Sequence, residues 1–314
     1  MSDLRIVFMG TPYFAVPALK ALISNGYNVV GVITAPDKPA GRGRKIQMSD
    51  VKVEALKHHI PILQPENLKS PDFLESLKNL NANLQIVVAF RMLPKNVWQM
   101  PRLGTFNLHA SLLPNYRGAA PINWAIINGE TKTGVTTFFL DEKIDTGAII
   151  YQAEADINPD ENAGNLHDKL MALGSNLIIK TVKAIADGSV TTINQPNADS
   201  NLAPKLNPEN CKIDWQELVT RINNKVRGLS PYPTAWCYLL NNNETLKLKI
   251  YKSTPSFESH SFEIGKIIAD KKILKVACKD GFLHINELQL AGKKRMDVIS
   301  LLNGLQFSKE AKLL

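Results

Sequence analysis

This chain lacks most of the features that would mark it for a membrane, for secretion or for a structural metal. No apolar run approaches the roughly 20 residues needed to span a bilayer. Met1-Ser2-Asp3-Leu4-Arg5 leads directly into a strand-like segment, so no signal peptide is expected. The three cysteines, Cys211, Cys237 and Cys278, are far apart and odd in number. Neither a disulfide framework nor a zinc spacing can be drawn from them. His58-His59 is an adjacent pair; neighbours on a helix do not share a face, so the pair reads as surface. Internal repeats and low-complexity tracts are missing as well. These absences predict a cytoplasmic protein in a reducing setting, with no membrane contact.

What is present fits a globular protein of two domains. Hydrophobic residues are 44% and charged residues 21% of 314. The formal charge of +8 is unevenly spread. Residues 1–203 hold 19 Lys+Arg against 18 Asp+Glu, and residues 204–314 hold 18 against 11, so a net +7 falls in the last third. A basic lobe joined to a neutral one suggests a polyanionic partner held by one and chemistry done by the other.

The first half alternates between strand and helix patterns. Strands are expected at Leu4–Met9, Val29–Thr34, Gln85–Phe90, Thr105–His109 and Val135–Leu140, with helices at Val16–Ile23 and Pro121–Ile127. Strands that are apolar on both faces imply a parallel sheet covered on both sides, doubly wound and Rossmann-like. Ligands of such sheets bind at the carboxyl ends of strands. A long helix follows at Asn165–Ala186, and then the polar, Pro-containing stretch from Asn194 to Pro204. Beyond it come a helix at Trp215–Arg227 and short segments at Thr245–Tyr251, Gly265–Ala269, Ile273–Ala277 and Phe282–Leu288. These predict a small β-barrel of oligonucleotide-binding (OB) type. The expected division is 1–190 for a catalytic domain, 191–204 for a linker and 205–314 for a basic OB-like domain.

Chemistry concentrates in Gly104-Thr-Phe-Asn-Leu-His-Ala-Ser-Leu-Leu-Pro-Asn-Tyr-Arg-Gly-Ala-Ala-Pro121. Asn107 and His109 are two apart on a strand and so share a face. An amide beside an imidazole can stabilise a developing oxyanion, and imidazole moves protons near neutral pH. Leu112-Leu113-Pro114 is apolar where a solvated loop is expected, which suits the wall of a site for a flat ligand. Asp145, in Asp141-Glu-Lys-Ile-Asp-Thr-Gly147, follows a neighbouring strand and can reach His109. Singly, each of these is also what an ordinary turn looks like.

Asn107-Leu-His109, Ser111-Leu-Leu-Pro114, Arg117-Gly-Ala-Ala-Pro121 and Asp145-Thr-Gly147, in this order, resemble the signature of the 10-formyltetrahydrofolate-dependent formyltransferases. The resemblance implies that fold, and it implies that Asn107, His109 and Asp145 are catalytic. It further implies that Ser111, Leu112, Leu113 and Pro114 contact the folate. The donor would be 10-formyltetrahydrofolate; its formyl group is already activated, so no metal is called for.

The acceptor has to be read elsewhere. Arg5-Ile-Val-Phe-Met-Gly-Thr-Pro-Tyr-Phe-Ala-Val-Pro17 resembles the opening of the family members that formylate methionyl-tRNA. Ala35-Pro-Asp-Lys-Pro-Ala-Gly-Arg-Gly-Arg-Lys-Ile46 resembles their loop for the acceptor arm of initiator tRNA, with Arg42, Arg44 and Lys45 supplying charge. Arg227–Trp236 and Leu288–Met296 resemble their C-terminal domain, although Leu290 stands where many members have Pro. Within these, Lys293, Lys294 and Arg295 are expected at the tRNA backbone, and Tyr232 and Trp236 are expected to be packing residues. The resemblance carries an expectation of a monomer. Two other readings stay open: formylation of an amino-sugar nucleotide, and a tRNA-binding protein whose site has decayed.

Overall fold

The computed structural model describes residues 4–40, 45–196 and 201–314. The chain forms two compact units, neither continuous in sequence. One comprises Met1–Gly118, Thr133–Ala155 and His167–Leu202; the other comprises Ala119–Lys132, Asp156–Leu166 and Ala203–Leu314.

The first unit is built on a seven-stranded sheet of β1 (Arg5–Gly10), β2 (Asn28–Ile33), β3 (Ile62–Leu63), β4 (Leu84–Val88), β5 (Thr105–His109), β6 (Lys132–Phe139) and β7 (Ile149–Asp156). Their spatial order is β7-β6-β5-β4-β1-β2-β3. Every residue of β4 is buried, as a central strand covered on both faces requires. Strands β3, β2, β1, β4 and β5 run parallel. β6 joins β5 antiparallel, pairing Asn107 with Phe138 and His109 with Thr136. An antiparallel edge on a parallel sheet is common in this class and needs no crossover helix.

Helices cover the sheet. α1 (Val16–Ser24) follows β1, with Pro17 in its first turn. α2 (Asp50–Lys57) is capped by Ser49, whose hydroxyl accepts the Lys52 N–H at 3.1 Å. α3 (Pro71–Asn79) buries Phe73 and Leu77, which pack with Val7, Met9, Ile33 and Val87 of the sheet. His58 and His59 lie past the end of α2 rather than within it. His58 Nε2 sits 3.3 Å from Glu54 Oε1, and His59 adopts φ +54°. A short helix α4 (Lys95–Trp98) precedes β5, and α6 is the long helix Ala163–Ala186; α5 (Pro121–Ile127) belongs to the second unit. Gly129, past α5, has φ +79°, a left-handed helix end that glycine adopts without strain.

The second unit holds an antiparallel barrel of β8 (Ala235–Asn241), β9 (Glu244–Ser256), β10 (Ile267–Ala269), β11 (Leu274–Cys278), β12 (Gly281–Leu290) and β13 (Lys312–Leu313). The order is β10-β11-β12-β9-β8-β13, with Met296–Asp297 paired onto β12. A bridge between Lys266 and Lys312 joins the two ends. All four segments expected to be strands are strands; β8 and the two shortest pairings were not anticipated. Helix α7 (Val219–Leu229) begins four residues later than its periodicity suggested. Leu218 is extended (ψ 144°), and Asp280 Oδ1 takes the Val219 N–H at 2.8 Å, so the first turn forms only there. Trp215 is instead part of the core, with Val219, Ile222, Val226 and Leu229. Cys211, Cys237 and Cys278 are free thiols buried in that core. Burial raises all three, Cys278 to about 12, so they sit as inert apolar groups.

Candidate active site

β5 ends at His109, and its period of two puts Asn107 on the same face. Asn107 keeps partial exposure, whereas His109 is 6% exposed. His109 Nε2 lies 2.8 Å from the carbonyl oxygen of Tyr116. A carbonyl only accepts, so Nε2 carries the hydrogen and Nδ1 is left with the lone pair of the neutral ring. Nδ1 faces Asp145, with Oδ2 at 3.8 Å. That is too long for a direct hydrogen bond and close enough for strong charge coupling. The carboxylate is thus placed to face a proton delivered to Nδ1.

Asp145 is itself held from several sides. Its Oδ2 accepts the Gly118 N–H at 3.0 Å. Its backbone is left-handed, φ +54°, a conformation unusual outside glycine. The loop around it is tied by Asp141, whose carboxylate accepts the Lys143 N–H and the Thr146 hydroxyl at 2.8–3.0 Å. After it, Gly147 passes so near Phe139 that a Cβ would fall 1.7 Å from the Phe139 carbonyl oxygen. Only glycine fits there, which explains the glycine of the Asp-Thr-Gly motif.

The segment after β5 is shaped by one buried hydroxyl. Thr136 Oγ1 donates to the Ser111 carbonyl at 2.6 Å and accepts the Leu113 N–H at 3.1 Å. Gln152 Nε2 adds bonds to Thr136 Oγ1 and to the Leu113 carbonyl. Of the four residues expected at the folate, two point inward. Ser111 is fully buried, its hydroxyl donating to the Asn115 carbonyl at 2.6 Å, and Leu113 packs on Phe138 and Ile149. Leu112 and Pro114, on a cis Leu113–Pro114 bond, keep partial exposure.

The structure thus brings Asn107, His109 and Asp145 to one strand end. Reading the sequence missed the carbonyl of Tyr116, the N–H of Gly118 and the hydroxyl of Thr136. The first two act through the backbone and leave no side-chain signal; Thr136 is one Thr among several on an apolar strand.

The basic residues are scattered. Arg42 and Arg44 lie outside the described residues. Lys38–Ala40 and Lys45–Gln47 pair as antiparallel strands on either side of them. At the foot of this hairpin, Lys52 bonds Asp37 at 2.6 Å and Gln64 at 2.7 Å, and the Asp37 carboxyl is held below its ordinary value, chiefly by Lys52. In the second unit, Lys293 and Lys294 are exposed on the turn after β12, where Gly292 has φ +75°. Arg295 is already engaged: its guanidinium bonds both Glu287 oxygens at 2.5 and 2.6 Å and lies 4.3 Å from the Tyr251 ring centroid. That pairing raises its pKa above the ordinary arginine value. Tyr232 corrects the packing expectation, being 82% exposed. The turn at the end of α7 is closed by the backbone, the Thr234 N–H donating to the Leu229 carbonyl at 2.8 Å. Trp236 is half-buried against the barrel core, and its Nε1–H donates to the Pro208 carbonyl at 2.8 Å.

Two family models match this chain: "Formyl transferase" over residues 4–182 and "Formyl transferase, C-terminal domain" over residues 205–306. A methionyl-tRNA formyltransferase of Flavobacterium johnsoniae is 64% identical over 314 residues, covering 100% of both chains. One from Bacteroides fragilis is 54% identical, covering 99% of this chain and 98% of the relative. An N-formyltransferase from Helicobacter canadensis, solved with folinic acid and dTDP-3-aminofucose, shares the fold at a TM-score of 0.67 and 22% identity, covering 93% of this chain and 100% of that one. With one model covering more than half its length and relatives matching it from end to end, this chain belongs to the formyl transferase family.

Proposed function

We propose that this protein transfers the formyl group of 10-formyltetrahydrofolate to the free amino group of initiator methionyl-tRNA. The observation that carries the chemistry is the His109–Asp145 pair, with Asn107 on the same strand face. The acceptor follows from end-to-end likeness to relatives named for methionyl-tRNA.

The methionyl amine attacks the formyl carbon, and the carbonyl oxygen becomes an oxyanion that the Asn107 amide stabilises. His109 keeps its Nε2–H on Tyr116, so Nδ1 is the atom that takes the amine proton, directly or through a water. The imidazolium formed faces the Asp145 carboxylate and can donate from Nδ1 to the oxyanion or return the proton. The bond from the formyl carbon to N10 then breaks, N10 gains a proton, and formyl-methionyl-tRNA and tetrahydrofolate leave. Leu112 and Pro114 offer the apolar wall for the donor; Ser111 and Leu113 act by shaping the segment that carries them.

We assign catalysis to residues 1–190 and the holding of tRNA mainly to 205–314, joined by 191–204. Arg42, Arg44 and Lys45 would engage the acceptor arm, while Lys293 and Lys294 meet phosphates. The protein works as a monomer in the cytoplasm, a setting that suits its three free thiols. Among the described residues, no helix is long and apolar enough to cross a membrane. The direct test is formation of formyl-methionyl-tRNA from methionyl-tRNA and 10-formyltetrahydrofolate. No product at micromolar enzyme would refute the proposal.

A further inference from the structure

Gln195 lies in the stretch that reads as a linker, and residues 191–194 and 196 around it are exposed. Gln195 alone is half-buried there, and its amide uses all four of its hydrogen-bonding positions. Nε2 donates to the carbonyl of Asp145 at 3.0 Å and to that of Gly147 at 2.8 Å. Oε1 accepts from Arg117 Nη2 at 2.6 Å and from Nε at 3.2 Å. Two carbonyls on one side and a guanidinium on the other fix the orientation of the amide, because a flipped amide would lose every partner. The next residue after Arg117 is Gly118, whose N–H holds the Asp145 carboxylate. One side chain thus ties the backbone of the Asp145 loop to the segment that binds the Asp145 carboxylate.

We propose that Gln195 is a positioning residue that keeps Asp145 in its left-handed conformation, and its carboxylate toward His109 Nδ1, by bridging the Asp145 and Gly147 carbonyls to Arg117. The proposal rests on the functional reading of Asp145 given above. The left-handed conformation at φ +54° costs an aspartate less than most residues, but still needs support from its surroundings. The Thr146 contacts to Asp141 close the loop around Asp145; Gln195 adds a restraint on the backbone itself, at the Asp145 and Gly147 carbonyls. Released from it, the loop would relax toward ordinary φ and carry the carboxylate away from the imidazole. Because the bridge acts on the Asp145 loop, the effect should fall on turnover rather than on substrate binding.

The test compares kcat and both KM values for wild type, Gln195→Ala, Gln195→Glu, Asp145→Asn and Asp145→Asn combined with Gln195→Ala, with melting temperatures measured alongside. Gln195→Glu keeps the bond to Arg117 and sets an oxygen against two carbonyl oxygens, at nearly unchanged size. Both Gln195 variants should lose about tenfold in kcat, with KM values within about twofold. In the Asp145→Asn background, Gln195→Ala should change kcat by less than about twofold, because its effect passes through Asp145. The proposal is overturned if Gln195→Glu turns over like wild type, if Gln195→Ala costs a further tenfold without Asp145, or if KM rises at constant kcat. An Asp145→Asn enzyme as fast as wild type would instead refute the underlying reading of Asp145, and the proposal with it.

Discussion

The strand end at His109 and the turn at Lys293–Arg295 are both rich in charged and polar groups, and they are built on opposite principles. At the strand end nearly every polar atom has a specific partner: His109 on Tyr116, Asp145 on Gly118, Thr136 on Ser111 and Leu113. At the turn, Lys293 and Lys294 project into solvent, and Arg295 is occupied by Glu287. Proton transfer needs atoms held to within a few tenths of an ångström, whereas phosphate attraction tolerates movement and is shared among many charges. The comparison teaches where substitutions should act on rate and where on affinity.

The largest effects are expected at the strand end. Asp145→Asn or His109→Ala should lower kcat by about 10²-fold or more in steady-state formylation. Gly147→Ala comes next: its Cβ would strike the Phe139 carbonyl, so the loop must shift, and kcat should fall about tenfold, with a lower melting temperature. Arg42→Ala should reduce kcat/KM for methionyl-tRNA severalfold; unchanged kinetics would remove that residue from the tRNA site. Lys293→Ala with Lys294→Ala should weaken tRNA binding severalfold and reduce the salt slope by about 1 per lysine, measured by filter binding across a salt series. Arg295→Ala should have the smallest effect on tRNA, because its charge is already met by Glu287. A larger loss than at the lysines would mean that Glu287 yields Arg295 to the RNA.

How far the sequence could be read follows the same division. Thr105–His109 and Pro121–Ile127 were legible to the residue, because periodicity and the Pro–Gly punctuation agree there. Asn107, His109 and Asp145 are singled out by motif order, and His109 and Asp145 do face one another. The antiparallel direction of β6 was not, since an apolar run looks the same either way. Nor was the division of Ser111–Pro114 into buried and exposed positions: Thr136, distant in sequence, decides which residues turn inward. Gln195 was hidden for a related reason, having no periodicity around it and partners 48 to 78 residues away. Tyr232 departs from the expectation that aromatic residues pack, being exposed at the turn after α7.

The account separates chemistry from affinity, and the affinity of the Asp145→Asn protein for methionyl-tRNA, measured across a salt series, tests that separation most directly. The expected result is the dissociation constant and salt slope of the wild type in a protein whose turnover has fallen about 10²-fold. A weakened affinity or a flattened slope would place Asp145 among the groups that hold the RNA and contradict the account.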